Sequence, residues 1–231
     1  MKTIPTLVKT SAQCFTLLVM LVLTQGIARA DEVTLAGFTN GCFGAGCIPP
    51  STSAQQTATI LGLTFNNSIF NGTTSSGFLA IGNTGQPPGT QNVDNLGSFQ
   101  LNSTPAMYTG QAFTLRVTFT LPTGINGSNT STFSAMLTGS VTTMDMGGVF
   151  VDFNNAPIVF TFMNASGSGS FSFNVNDVSV IAGGLVPVSG NITAAQQTPG
   201  QVPEPASLLL IGSGMLGLGA GLRYRHRQRR R

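Results

Sequence analysis

Residues 113–121 read FTLRVTFTL, an unbroken alternation of apolar and polar side chains. Phe113, Leu115, Val117, Phe119 and Leu121 fall on one side of an extended chain, and Thr114, Arg116, Thr118 and Thr120 on the other. A period of two fits a strand that buries one face and cannot place a helix against a core. Phe171, Phe173 and Val175 repeat the pattern. Its phase slips at Asn176 and Asp177 and resumes at Val178 and Val180, which predicts a bulge. Further apolar runs lie at 60–65, 78–81, 99–101, 133–141, 149–153 and 158–162. Turn chemistry separates them: Asn71 with Gly72, Pro122 to Gly124, Asn126 with Gly127, Asn154 with Asn155, and the Ser/Gly run 166–169. No amphipathic helix is expected between 31 and 198. About eight or nine strands over this span predict an all-β fold, a single antiparallel β-sandwich or jelly roll. With 16 Phe and no Trp, its core is expected to be built from Phe, Val, Leu and Ile.

Charge is concentrated at the two ends. Lys2, Lys9 and Arg29 precede residue 31, and Arg223, Arg225, Arg227, Arg229, Arg230 and Arg231 follow residue 222. Between 31 and 200 one cation, Arg116, stands against Asp31, Glu32, Asp94, Asp145, Asp152 and Asp177, a formal charge of −5. A body so poor in cations is not built to hold a phosphate backbone, so no nucleic-acid partner is expected.

Residues 14–23 form an apolar run behind Lys2 and Lys9. As a helix it spans about 15 Å, half a bilayer core. Gln25 and Gly26 interrupt it, and Ala28 and Ala30 supply the small residues of an A-x-A cleavage site. Residues 1–30 therefore read as a secretory signal peptide cut before Asp31. Export puts Cys42 and Cys47 in an oxidising compartment, where their spacing across a Gly-rich loop predicts a small disulfide. Residues 31–56, rich in Gly, Pro and Ser, are expected to form a loose arm around it. The single His, His226, lies among the terminal arginines, so no Cys/His metal site is expected.

The C-terminal tail, 199–231, has three parts. Val202, Pro203, Glu204 and Pro205 make an extended segment, because each proline fixes φ and Glu204 precedes one. Residues 206–222 carry no charge and would span about 25 Å as a helix, enough for a short transmembrane segment. The arginines of 223–231 then act as a cytoplasmic stop under the positive-inside rule. Residues 194–205 read as a polar linker. Gly212, Gly214 and Gly217 also spell G-x-G-x-x-G, but no second strand or acidic residue follows.

This order of parts resembles the PEP-CTERM sorting signal, over about thirty residues. The resemblance implies an exported bacterial protein processed near the Pro-Glu-Pro by exosortase, a membrane-embedded transpeptidase-like enzyme. It implies a transient inner-membrane anchor and a destination in the envelope, cell surface or extracellular matrix of a Gram-negative host, with extracellular polysaccharide as a further partner.

For the body the expected role is structural or adhesive, without catalytic residues or a cofactor. Alternatives are a glycan- or calcium-binding module and an anchored hydrolase. Calcium could use Asp94 with Asn92 and Asn95, Asp152 with Asn154, or Asp177 with Asn176, although Asx turns explain the same residues. A hydrolase would need two facing carboxylates, and none of the aspartates lies in a pattern that pairs them. A sugar site would have to work without Trp, and Tyr108 is the one Tyr before the tail.

Overall fold

The computed structural model describes residues 32–143 and 147–199. The proposed signal peptide with Ala28 and Ala30, Asp145, and the tail from 200 onward lie outside the described residues, and with the tail the motif, its apolar segment and its arginines. Among the described residues the chain is all β. The strands are β1 Thr34–Phe43, β2 Thr57–Ile60, β3 Leu63–Asn66, β4 Ser68–Thr73, β5 Leu79–Ile81, β6 Asn92–Val93, β7 Ser98–Leu101, β8 Ala106–Met107, β9 Ala112–Leu121, β10 Thr130–Val141, β11 Gly148–Phe153, β12 Ile158–Asn164, β13 Gly167–Val175, β14 Val178–Ile181, β15 Leu185–Pro187 and β16 Gly190–Pro199. The largest sheet runs β14-β11-β10-β9-β1-β4-β6, with β8 added beside β10. Two four-stranded sheets run β12-β13-β16-β5 and β15-β7-β3-β2. All pairings are antiparallel except the two-residue contact of β4 with β6.

Strand β9 joins the three sheets. Phe113, Leu115, Val117 and Phe119 are all buried, as the alternation requires. At its start Phe113 packs on Phe65 and Phe99 of the third sheet, at ring separations of 5.0 Å each. At its end Phe119 packs on Phe160, Phe171 and Phe173 of the second sheet, at 4.9, 5.0 and 5.4 Å. The large sheet thus buries one face against both small ones. Most of these rings meet tilted or edge to face, the arrangement that aromatic quadrupoles favour.

The sequence expectations fail where glycine or asparagine was taken as punctuation. The loose arm expected over 31–56 is wrong for its first half: β1 is an interior strand, paired with β4 and β9. Its glycines are seats for rings, since a Cβ at Gly41 would meet the rings of Phe113 and Phe65. The second half, although without strands, is tied down. Asn40 donates to the Thr52 carbonyl at 2.8 Å and Arg116 Nη1 to that of Pro49 at 3.2 Å. The run 60–65 is a hairpin, because Leu61 (φ 50°) and Gly62 (φ 87°) supply the two positive φ angles of a tight turn. Asn71 and Gly72 lie inside β4 rather than in a turn. The phase slip at Asn176 and Asp177 is a crossing from the second sheet to the first, and the irregularity in β13 falls between Ser170 and Ser172. The linker expected from 194 starts later, because β16 stays paired to Pro199.

Tyr108 is wholly buried and donates its hydroxyl to the Leu61 carbonyl at 2.6 Å. Burial raises its pKa above the ordinary tyrosine value of about 10. A group whose folded pKa is raised contributes stability that is fully present below the unfolded pKa and is lost as pH rises through the folded one. Urea titrations of the wild type should therefore show a loss of stability above about pH 10. Tyr108→Phe should cost about 1 kcal/mol at neutral pH and reduce that alkaline loss.

Candidate functional site

The register of the large sheet assembles a constellation on its outer face. Cys42 of β1 lies opposite Thr114 of β9, which lies opposite Ser134 of β10. Asn154 continues this row, its N–H donating to the Ser134 carbonyl at 3.0 Å. In the next row Ala112, Met136 and Asp152 are neighbours, and in the row after it Thr138, Phe150 and Ser179. A cleft of about 370 Å³ follows the first two rows. Its polar side chains are Thr114, Ser134, Asp152 and Asn154, with Met136 on its rim and Phe113 and Phe153 beneath.

One wall is the loop closed by the Cys42–Cys47 disulfide, as expected from the spacing. Gly44 and Gly46 line the cleft there with positive φ angles of 105° and 71°, and a Cβ on either would meet no other atom. The Gly44 N–H donates to the Ala112 carbonyl at 2.9 Å, which pins the loop to β9. Phe150, two residues from Asp152 on the same face of β11, is 42% exposed, enough to offer a ring face.

The aspartates proposed as calcium ligands separate by role. Asp94 accepts the Asn71 N–H at 3.1 Å and Asp177 that of Phe153 at 2.9 Å. Each thus terminates a backbone donor. Asn92 is fully buried and donates to the carbonyls of Asn66 and Asn67 and to the Ser98 hydroxyl. Asn95 donates to the carbonyls of Asn83 and Thr84. These two hold the segment between β5 and β7. Asn176 is held by Ser189 and Asn191, and Asn154 caps Ala156 in an Asx turn. Asp152 is different: it is exposed at the cleft, and its carboxylate has no hydrogen-bond or ion-pair partner among the described residues. Among the described residues no three His, Cys, Asp or Glu side chains converge to hold a metal. The cleft was not legible beforehand, because its residues come from four separate stretches of chain that only the strand register brings together.

Outside the β body, the comparison with known families is decisive for one segment. Residues 201–227 match the PEP-CTERM protein-sorting motif. The match covers Val202, Pro203, Glu204 and Pro205, the apolar run, and Arg223, Arg225 and Arg227. A PEP-CTERM tail directs a bacterial protein to the cell envelope or surface and makes it a target of exosortase, a membrane enzyme. No curated protein and no solved structure matches the chain.

Proposed function

We propose that this chain is an exported surface or extracellular-matrix protein of a Gram-negative bacterium, with a non-enzymatic, structural or adhesive β-sandwich as its cargo. In this reading 1–30 is a signal peptide, 206–222 a transient inner-membrane helix, and the arginines of 223–231 its cytoplasmic stop. The sorting motif at 201–227 is the observation that carries the proposal. A non-catalytic role is supported by the use of Asp94 and Asp177 as backbone caps, which leaves one carboxylate in the cleft.

Intact mass of the protein recovered from the surface of its host tests this. The expected polypeptide lacks residues 1–30 and everything beyond the Pro-Glu-Pro. Full-length chain recovered from the cytosol would end the proposal.

A second reading, a glycan-binding module, is favoured by the unengaged Asp152 beside Phe150, Thr114 and Ser134. A pyranose has an apolar C–H face and a rim of hydroxyls, which suits one exposed ring flanked by a carboxylate and hydroxyls. Calcium, which takes roughly six to eight oxygens, is less well served by this single carboxylate. With −5 on the body, the preferred glycan is neutral, and a polyuronate is repelled. In affinity electrophoresis through laminarin or dextran the wild type should be retarded, and Phe150→Ala or Asp152→Ala should weaken binding about tenfold each. Alginate should give no retardation. Equal mobility of wild type and variants in every neutral glycan would remove this reading.

A further inference from the structure

Three residues, Gly200, Gln201 and Val202, separate the end of β16 from Pro203. A trans chain advances at most about 3.6 Å per residue, so Pro203 is held within about 14 Å of Pro199. While β16 stays paired, the processing enzyme meets its motif against the side of a folded domain.

The last part of β16 is built differently from the rest. Its first residues, 190–193, pair with Asn174 and its neighbours, with Ile192 fully buried. The ladder then shifts register opposite Ser170 and Ser172. At the shift Ala194 takes a φ of +51°, a conformation L residues avoid. Ala195 is buried and its N–H donates to the Gly77 carbonyl at 3.0 Å. Beyond it Gln196, Gln197, Thr198 and Pro199 pair with Ser170, Gly169, Ser168 and Gly167. Gln196 and Thr198 are exposed and Gln197 half-buried. None of these three is apolar, two of the four partners of residues 196–199 are glycines, and Pro199 has no N–H to donate. Separating residues 196–198 from β13 sacrifices a few ladder hydrogen bonds and the bond that the Gln196 amide donates to the Ser170 hydroxyl at 3.3 Å, but no apolar side chain of these three residues, the mark of a segment that opens locally while the core stays folded. Opening back to Ala195 lengthens the reach to Pro203 to about 29 Å.

We infer that residues 196–199 are the release segment of the sorting signal: they peel from β13 beyond Ala195, and only the peeled form delivers residues 203–205 to the enzyme. This rests on the proposed processing of the chain by exosortase. The folded body thereby sets the rate at which it is released, and the sorting determinant extends into β16.

The test is pulse-chase processing of the full chain in its host. Ser168 and Thr198 are exposed cross-strand partners, so Ser168→Cys with Thr198→Cys staples the segment shut. Once oxidised, the stapled chain should be processed about tenfold more slowly or worse, because the competent population is removed. Ser168→Cys alone should be processed normally. Inserting Gly-Ser-Gly-Ser between Pro199 and Gly200, which leaves the ladder untouched, should restore the stapled chain to the wild-type rate. A stapled chain processed at the wild-type rate overturns the inference. Glu204→Ala separates the two levels. If it blocks processing while the staple has no effect, the release segment alone is wrong. If it leaves processing intact, the sorting reading falls and the release segment with it.

Discussion

Phe119→Ala should destabilise the body by about 3–5 kcal/mol, read as a lower urea midpoint at unchanged m-value. Phe119 is 1% exposed and touches four rings. Phe70 lies beside it at 5.7 Å, and Phe160, Phe171 and Phe173 come from the sheet it packs on. Truncation removes the transfer free energy of the ring and leaves a cavity whose walls belong to two sheets. Those walls cannot close without moving strands that are hydrogen-bonded elsewhere. Against a total stability of roughly 5–15 kcal/mol for a domain, that loss is about a fifth or more. Phe78→Ala is the matched control. Phe78 is 50% exposed, and its loss should stay within about 0.5 kcal/mol. A difference between the two variants smaller than about 1 kcal/mol would mean that the ring cluster does not hold the layers together.

The Phe-built core was legible in the sequence because a strand's period is local. Residues 113–119 show most of their buried face in the order of the letters alone, and so does β13, whereas Leu121, Phe150, Val159 and Met163 are apolar letters that stand exposed and Thr118 a polar one that is buried. What could not be read there were features fixed by another strand. The glycines of β1 look like looseness until the rings of Phe113 and Phe65 are placed against Gly41. Leu61 and Gly62 look like the middle of an apolar run until their positive φ angles fold it back on itself. The slip at Asn176 and Asp177 looks like a bulge within one strand because the buried pattern resumes at once at Val178 and Val180, although the chain has changed sheets there.

The sorting tail was readable for the opposite reason. A signal recognised as an extended peptide keeps its information in consecutive residues, so Pro203, Glu204 and Pro205 carry it without any fold. The cleft carries none of its chemistry this way. Thr114, Ser134 and Asp152 are single letters in three strands, and only the pairings of β9 with β10 and of β10 with β11 make them neighbours. The buried asparagines misled for a related reason. Beside Asp94, Asn92 and Asn95 resemble ligands for a hard cation, yet their amides point inward and satisfy backbone groups.

Asn92→Asp should separate those two roles, and its effect should depend on pH. The Asn92 Oδ1 accepts the Gln86 N–H at 2.6 Å, a bond that a carboxylate can keep. Its Nδ2 donates to the carbonyls of Asn66 and Asn67, at 3.1 Å each, and to the Ser98 hydroxyl at 3.0 Å. Replacing that donor with an ionised oxygen sets a buried negative charge against two carbonyl oxygens. At pH 7 the loss should be at least about 3 kcal/mol, whereas a calcium ligand on the surface would tolerate the change or gain from it. Desolvation and the carbonyl dipoles raise the folded-state pKa of the introduced carboxyl above its unfolded value of about 3.9. The penalty is then smallest below that value and grows as pH rises through the folded pKa. Urea midpoints should therefore recover toward wild type between pH 7 and pH 4, and calcium should move neither. A loss equal at both pH values would mean that the introduced carboxyl ionises with the same pKa folded and unfolded, and so is not desolvated at this position, and a stabilisation by calcium would return Asn92 to the role its neighbours in sequence suggest.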